Sequence, residues 1–274
     1  MSNSQLTNTQ LRMLSAFVLL LIFLGALYFQ AVGLSVLLFV SGLLLVDEFL
    51  CSILKSSRTN LSYLFSVSSF TAIYGYLLFG KEVDSTFLIL PAVINIIWLL
   101  YLFYVPMNSV KVIEKLKKHS YLIGLNFVLP FYSISYLIRQ DKWMEHIIIM
   151  LSMNFVVDTG AWFFGRKFGN KKLWLVISPN KTINGAIGGS LSSLLVTLLL
   201  INHFFDIFNV VLILSVSLMT ILGQMGDLIE SKIKRQVGVK DSSNLIPGHG
   251  GIYDRLDSLI FVAPFYAIMV KYLF

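Results

Sequence analysis

The sequence predicts an all-α, polytopic integral membrane protein with nine transmembrane helices. Three observations predict it. The chain of 274 residues is 57% hydrophobic and 13% charged, whereas a soluble domain is about 25% charged. Its mean hydropathy is +0.80. Nine stretches approach the ~20 apolar residues that a helix needs to cross a bilayer: 13–29, 31–50, 61–79, 86–105, 121–138, 144–164, 182–201, 209–228 and 256–274. With no soluble domain, long linker or internal repeat in view, residues 1–274 read as a single membrane domain. Residues 1–120 are its N-terminal helical part, and 121–274 carry the chemistry.

Residues 1–11 are a short polar tail. The first span, Met13 to Phe29, follows Arg12 and is 17 residues long. That exceeds a usual signal-peptide core, and no small-residue cleavage site precedes the second span, so it is expected to be retained. The second span ends on Asp47 and Glu48, which are expected to face water or a helix partner. Cys51, the only cysteine, excludes an intramolecular disulfide and reads as a small packed residue. The third, fourth and fifth spans carry little chemistry. Between the last two, segment 106–120 holds four lysines and one glutamate and reads as an anchor for an anionic leaflet.

Polar density rises after residue 144. The sixth span carries Asp158, followed by TGAWFFGRKFG. Ser178-Pro179-Asn180-Lys181-Thr182 precedes the seventh. Serine or threonine there can cap the helix and leave N–H groups facing an anion, with Lys181 as a point charge; a plain cap is the simpler alternative. Gly185 and Gly189 form a small-xxx-small pattern, which suits close helix packing better than chemistry. The eighth span ends in GQMGDLIES and the ninth begins with DRLD.

Nine spans place alternate loops on opposite faces. The N-terminal face collects 17 of the 21 Lys and Arg residues, and only Lys81, Arg139, Lys142 and Lys271 fall on the other. Positive charge stays in the cytoplasm, which puts the N-terminus inside and the C-terminus outside.

The run from Ser231 to Asp257, SKIKRQVGVKDSSNLIPGHGGIYDRLD, is far too rich in charge and glycine for a mere connection. Asp227 and Glu230, three apart, share a helix face just before it, with Ser231 on the same side. Carboxylates at membrane depth are costly and usually mark a functional site or a cavity. The alternative is an interfacial pair matched by Lys232 and Lys234. Asp254 and Asp257 flank Arg255 where the ninth span begins. The helix macrodipole accounts for Asp257 unaided, but less well for Asp254, which follows PGHGGIY. Gly248, Gly250 and Gly251 let a backbone turn sharply and approach a ligand. His249 can donate to a phosphate or serve as a hydrogen-bonded loop histidine. Two such carboxylate clusters suit Mg²⁺, which takes oxygen ligands and shares them with substrate phosphates. Lys234, Arg235 and Lys240 would meet phosphate charge, or simply mark the cytoplasmic side. Phosphate-loop, dinucleotide, CxxC, HExxH and GxSxG motifs are missing. A secondary transporter with Asp158 and Asp227 on a coupling ion is the non-enzymatic alternative. It calls for charges near the midplane of broken helices, whereas these gather at helix ends.

This segment resembles the signature of the phosphatidate cytidylyltransferases, or CDP-diacylglycerol synthases. Ser231, Ile233-Lys234-Arg235, Lys240-Asp241, Ile246-Pro247, His249-Gly250-Gly251, Asp254-Arg255 and Asp257 all stand at that family's spacing. Gly226-Asp227 with Glu230-Ser231 is similar to its GDxxES. Asp158-Thr159 with Gly165 and Arg166, and Ser178-Pro179 with Lys181-Thr182, resemble two further motifs. Trp162, Asn180 and Asn184 depart from the usual tyrosine, lysine and acidic residue. The resemblance implies transfer of CMP from CTP to phosphatidic acid, giving CDP-diacylglycerol and pyrophosphate for phospholipid biosynthesis. It also implies Mg²⁺, a monovalent cation such as K⁺, a homodimer and no nucleic-acid partner. The protein would be multi-pass in the inner (plasma) membrane, with its site facing the cytoplasm. On these motifs Asp227, Asp254, Lys181 and His249 are the catalytic candidates. Asp227 and Asp254 lead as metal ligands, with Glu230, Asp257 and Asp158 behind them. Lys234, Arg235, Lys240, Asp241, Gly250, Gly251, Arg255, Ser178 and Thr182 are candidates for substrate binding. Two related chemistries would look similar: the same transfer to another lipid phosphate, and a CTP-dependent lipid-alcohol kinase that releases CDP.

Overall fold

The computed structural model describes residues 8–80 and 83–274. Lys81, counted above on the less basic face, and the tail residues 1–7 lie outside the described residues. The chain is an all-α polytopic membrane protein with one small hairpin. Its helices are α1 Asn8–Tyr28, α2 Gln30–Glu48, α3 Leu61–Phe79, α4 Ile89–Tyr104 and α5 Lys111–Lys118. They continue with α6 Ile123–Ile138, α7 Trp143–Phe168, α8 Ile183–Phe205, α9 Val210–Gln236 and α10 Tyr253–Leu273. Among the described residues, nine helical segments are long and apolar enough to cross a membrane. The tenth helix, α5, is a short amphipathic piece inside the lysine-rich segment that read as a loop, with Ile113 as its buried residue.

Several spans run further than the hydropathy suggests. A π-helical turn, Phe49–Ile53, carries α2 onward. Helix α7 continues to Phe168. Helix α9 extends to Gln236, so Asp227, Glu230, Lys232 and Lys234 sit within a continuous helix instead of at its end. Hydropathy cannot see this extension, because the polar residues of the last turns are held by partners and not by lipid. Between α7 and α8, strands β1 Lys172–Trp174 and β2 Ser178–Thr182 form an antiparallel hairpin, with Lys172 opposite Thr182 and Trp174 opposite Ser178.

The chain divides into two compact units. The first contains α1 to α3 with segments Lys111–Val128 and Val237–Arg255. Within it, Gly42 on α2 leaves room for the ring of Phe70 on α3. Phe39, Phe70 and Tyr74 stack there, and Tyr74 donates to the Ser35 carbonyl at 3.3 Å. Much of α1 exposes apolar side chains such as Met13, Phe17, Leu20, Leu21 and Leu24, as expected of a helix whose backbone is self-satisfied and whose surface meets lipid.

The second unit contains α4, segments Leu129–Gln236 and Leu256–Phe274. Its centre is the pairing of α7 with α8. A Cβ on Gly185 would lie 2.7 Å from the Ala161 carbonyl oxygen, and one on Gly189 would lie 2.6 Å from that of Val157. Only glycine permits that approach, so the small-residue pattern serves packing. Gln224 ties α9 to α8 through the Ala186 carbonyl at 3.1 Å and Ser190 Oγ at 2.7 Å. Asn95 ties α4 to α10 through the Phe261 carbonyl at 2.8 Å.

Candidate active site

In the second unit, ligand oxygens of Asp227, Glu230 and Asp257 lie within 4.8 Å of one another. The i,i+3 spacing places Asp227 and Glu230 on one face of α9, and the first turns of α10 supply Asp257. Lys181, on β2, forms an ion pair with Asp227 Oδ2. Ser231 Oγ donates to Asp227 Oδ1 at 3.3 Å. Lys234 pairs with Glu230 at 2.8 Å, and both side chains are nearly inaccessible. So Lys234 does match Glu230, whereas Lys232 does not match the carboxylates at all. Lys232 is buried and donates to the carbonyls of Tyr101, Leu102 and Val105 at 2.8, 2.8 and 2.5 Å. Arg235 follows at the end of α9, half-buried.

The hairpin brings Lys181 to this place. Thr182 caps α8, its Oγ1 accepting from the Gly185 amide at 3.1 Å. Ser178 begins the same strand. Asp158 lies exposed on α7 and lines a cavity of about 220 Å³ together with Trp162, Lys181, Thr182 and Gln224. Trp162, one of the departures from the family pattern, stacks against the Arg166 guanidinium. The donor set of the carboxylate cluster is all oxygen, which fits a hard divalent cation.

The remaining motif residues assemble in the first unit. Lys240, Asp241, His249, Gly250 and Arg255 line a cavity of about 510 Å³, joined by Arg12 from α1. Arg12 Nε donates to the Gly248 carbonyl at 3.0 Å, and Arg255 Nε donates to the His249 carbonyl at 3.1 Å. Ser15 Oγ is 2.7 Å from His249 Nδ1. Burial, with Arg255 and Arg12 close by, pushes the His249 imidazole below its ordinary range. That favours the neutral imidazole, and the cavity's permanent cations are Arg12, Lys240 and Arg255. Asp254 Oδ2 accepts from the Ser242 amide at 2.9 Å, Ser242 Oγ at 2.8 Å and the Gly251 amide at 2.7 Å. Gly250 adopts φ +82°, a conformation that favours glycine. Thus the amide of Gly251, one of those that could approach a ligand, is engaged by Asp254.

Three residues of this loop's setting escaped the sequence reading. In the sequence Arg12 reads as a topology marker and Glu48 as a boundary carboxylate, and nothing marks Ser15. For Glu48 no local signal exists: helix α10 starts at Tyr253 after Ile252, and which group meets its first amides is decided by the fold.

Fold and site together define a class: a polytopic helical membrane protein with a cluster of three carboxylates whose oxygens suit a hard divalent cation. Comparison with known proteins narrows it. The profile of the cytidylyltransferase family matches residues 10–273, and the chain belongs to that family. It is 47% identical over 138 residues to a phosphatidate cytidylyltransferase of Staphylococcus haemolyticus, covering 49% of this chain and 52% of that protein. It is 44% identical over 150 residues to one of Staphylococcus aureus, covering 54% and 55%. A Staphylococcus epidermidis phosphatidate cytidylyltransferase is 47% identical over 133 residues, covering 48% and 51%. The chain thus spans about half the length of the relatives it matches.

Proposed function

We propose that this protein transfers CMP from CTP to phosphatidic acid, releasing pyrophosphate and forming CDP-diacylglycerol. The observation that carries the reading is the cluster of Asp227, Glu230 and Asp257 bracketed by Lys181 and Lys234. Its support comes from the family and from the names of the staphylococcal relatives. The attacking group is a phosphate oxygen of the lipid, mostly ionised at neutral pH because the second phosphate pKa is about 6. No strong general base is required. The obstacle is repulsion between two anions, so catalysis consists of neutralising charge and aligning the reactants.

Asp227, Glu230 and Asp257 would hold Mg²⁺, which when bound supplies charge neutralisation on the triphosphate. For the accompanying K⁺ we assign no ligands. Lys181 and Lys234 are positioned to leave their carboxylates for substrate phosphates as the charge around them changes. Asp158, Ser178 and Thr182 shape the neighbouring wall, and Arg235 adds positive charge at the end of α9. Within the first unit, Lys240, Arg255 and His249, with Arg12, make a basic cavity suited to phosphate groups. Asp241 and Gly250 shape that cavity. In the reading we adopt, the protein is a homodimer in the plasma membrane, and the site opens to the cytoplasm, where CTP is made. Lipid enters sideways between helices.

The test is mass spectrometry of products from detergent-purified protein given CTP, phosphatidic acid and Mg²⁺. CDP-diacylglycerol and pyrophosphate are expected, and both should vanish with EDTA. Asp227→Asn should lower turnover by about two orders of magnitude or more while the protein still folds. Release of CDP with a phosphorylated lipid alcohol would make the protein a kinase instead. Absence of any lipid-linked CMP from folded protein would overturn the proposal.

A further inference from the structure

Glu48 does not belong to any of the motifs, yet it is only 4% exposed at the end of α2. Its Oε2 accepts from Ser243 Oγ at 2.9 Å and from the Ile252 amide at 2.9 Å, and its Oε1 accepts from the Tyr253 amide at 3.1 Å. Ile252 and Tyr253 are the entry to α10, where helical N–H groups have no intrahelical acceptor. A side chain some 200 residues upstream thus does what a local Ser, Thr, Asp or Asn would normally do.

Two neighbouring features serve the same grip. The π-helical turn Phe49–Ile53 starts at the next residue, and such turns are uncommon and often placed at functional sites. Phe49 packs edge-on against Tyr253 at 5.5 Å and Phe127 at 5.1 Å, so the aromatic ring beside Glu48 presses on the first residue of α10. Gly251 lacks a Cβ that would overlap Glu48 Oε1 and Ser242 Oγ. The absent side chain at Gly251 makes room for the carboxyl of Glu48.

We infer that Glu48 is a positioning residue for the substrate loop. It holds Ser243 at one end and Ile252–Tyr253 at the other, and so fixes the span that carries His249 and Gly250 and leads into Arg255. This role rests on the proposed function for its catalytic consequence, but the grip on the loop stands on the hydrogen bonds alone. Glu48 does not touch substrate. It pre-shapes the loop that does, and misplacement of such a loop costs rate even when the fold survives.

The experiment compares wild type, Glu48→Gln, Glu48→Asp and Ser243→Ala in the same detergent. Hydrogen–deuterium exchange reads the loop, and steady-state kinetics with CTP and phosphatidic acid reads its consequence. Glu48→Gln replaces an acceptor oxygen by an NH₂ that faces donors. Exchange in residues 242–253 should speed up about tenfold or more, with α7 to α9 unchanged. In parallel, kcat/KM for CTP should fall about tenfold or more while KM for phosphatidic acid moves less than twofold. Glu48→Asp keeps the carboxyl and should recover part of both. If Glu48→Gln does not fold, Ser243→Ala decides, since it removes one donor of the three and should shift both readouts the same way by less. Unchanged exchange in the loop, or a parallel loss for both substrates, would overturn the inference. Were the wild type to transfer no CMP, the proposed function would fail while the exchange result still judged Glu48.

Discussion

At the residue scale, the two aspartates that led the sequence reading sit in different company. Asp227 pairs with Lys181 beside Glu230 and Asp257. Asp254 holds its loop, taking three donors on one oxygen. A motif records that both positions need a carboxylate and does not record why. Metal-dependence separates the two roles. Asp227→Asn should abolish turnover or raise the Mg²⁺ needed for half-maximal rate. Asp254→Asn puts an amide where three donors converge, so it should raise KM for CTP about tenfold. A shift of Mg²⁺ dependence in Asp254→Asn as large as in Asp227→Asn would make Asp254 a ligand, as the reading of the motif carboxylates expects.

At the element scale, α9 shows how a helix can be amphipathic in two senses. One face carries Asp227, Glu230 and Ser231. Lys232 and Gln236 serve another purpose, closing the C-terminus of α4. Lys232 takes three carbonyls there, and its ammonium lies 4.6 Å from the Tyr101 ring centre. Gln236 donates to the carbonyls of Pro106, Met107 and Ser109 at 3.2, 3.3 and 2.8 Å and accepts from the Tyr101 hydroxyl. The last carbonyls of a helix have no internal partner, and a cation there also meets the negative end of the dipole. Lys232→Met is therefore a stability variant. It should cost about 3 kcal/mol by stranding buried acceptors, read as a lower unfolding temperature in detergent, while KM for CTP stays within twofold. Full stability with a lost CTP interaction would move Lys232 into the substrate site. Helix existence and order were plain from the apolar runs, because ~20 apolar residues in a row allow few other fates. The ends of α7 and α9 were not, because their last turns are polar and depend on partners far away in the chain.

At the scale of the whole molecule, the charge asymmetry is the one global property that carries an orientation. Several of its cations have structural work, Lys232 above all, yet the lysines of α5 are exposed and remain good markers. With Cys51→Ser as background, a cysteine at exposed Lys117 should react only with a reagent on the cytoplasmic side. One at exposed Asp141 should react only from outside. The opposite pattern would invert the topology, and labelling of both from one side would break the nine-span count.

Composition and hydropathy settled the solvent, the class of fold and the number of spans, since a bilayer leaves the backbone no option but helices here. Motif spacing singled out Asp227, Asp254, Lys181 and His249 first, with Glu230, Asp257 and Asp158 behind them as carboxylates. Spacing could not say which carboxylates converge, that Lys232 caps a helix, or that Glu48 grips a loop some 200 residues away. Those facts depend on which side chains meet across the fold. A hydrogen bond or a metal site is decided by a few ångströms in space, and separation along the chain carries almost no information about it.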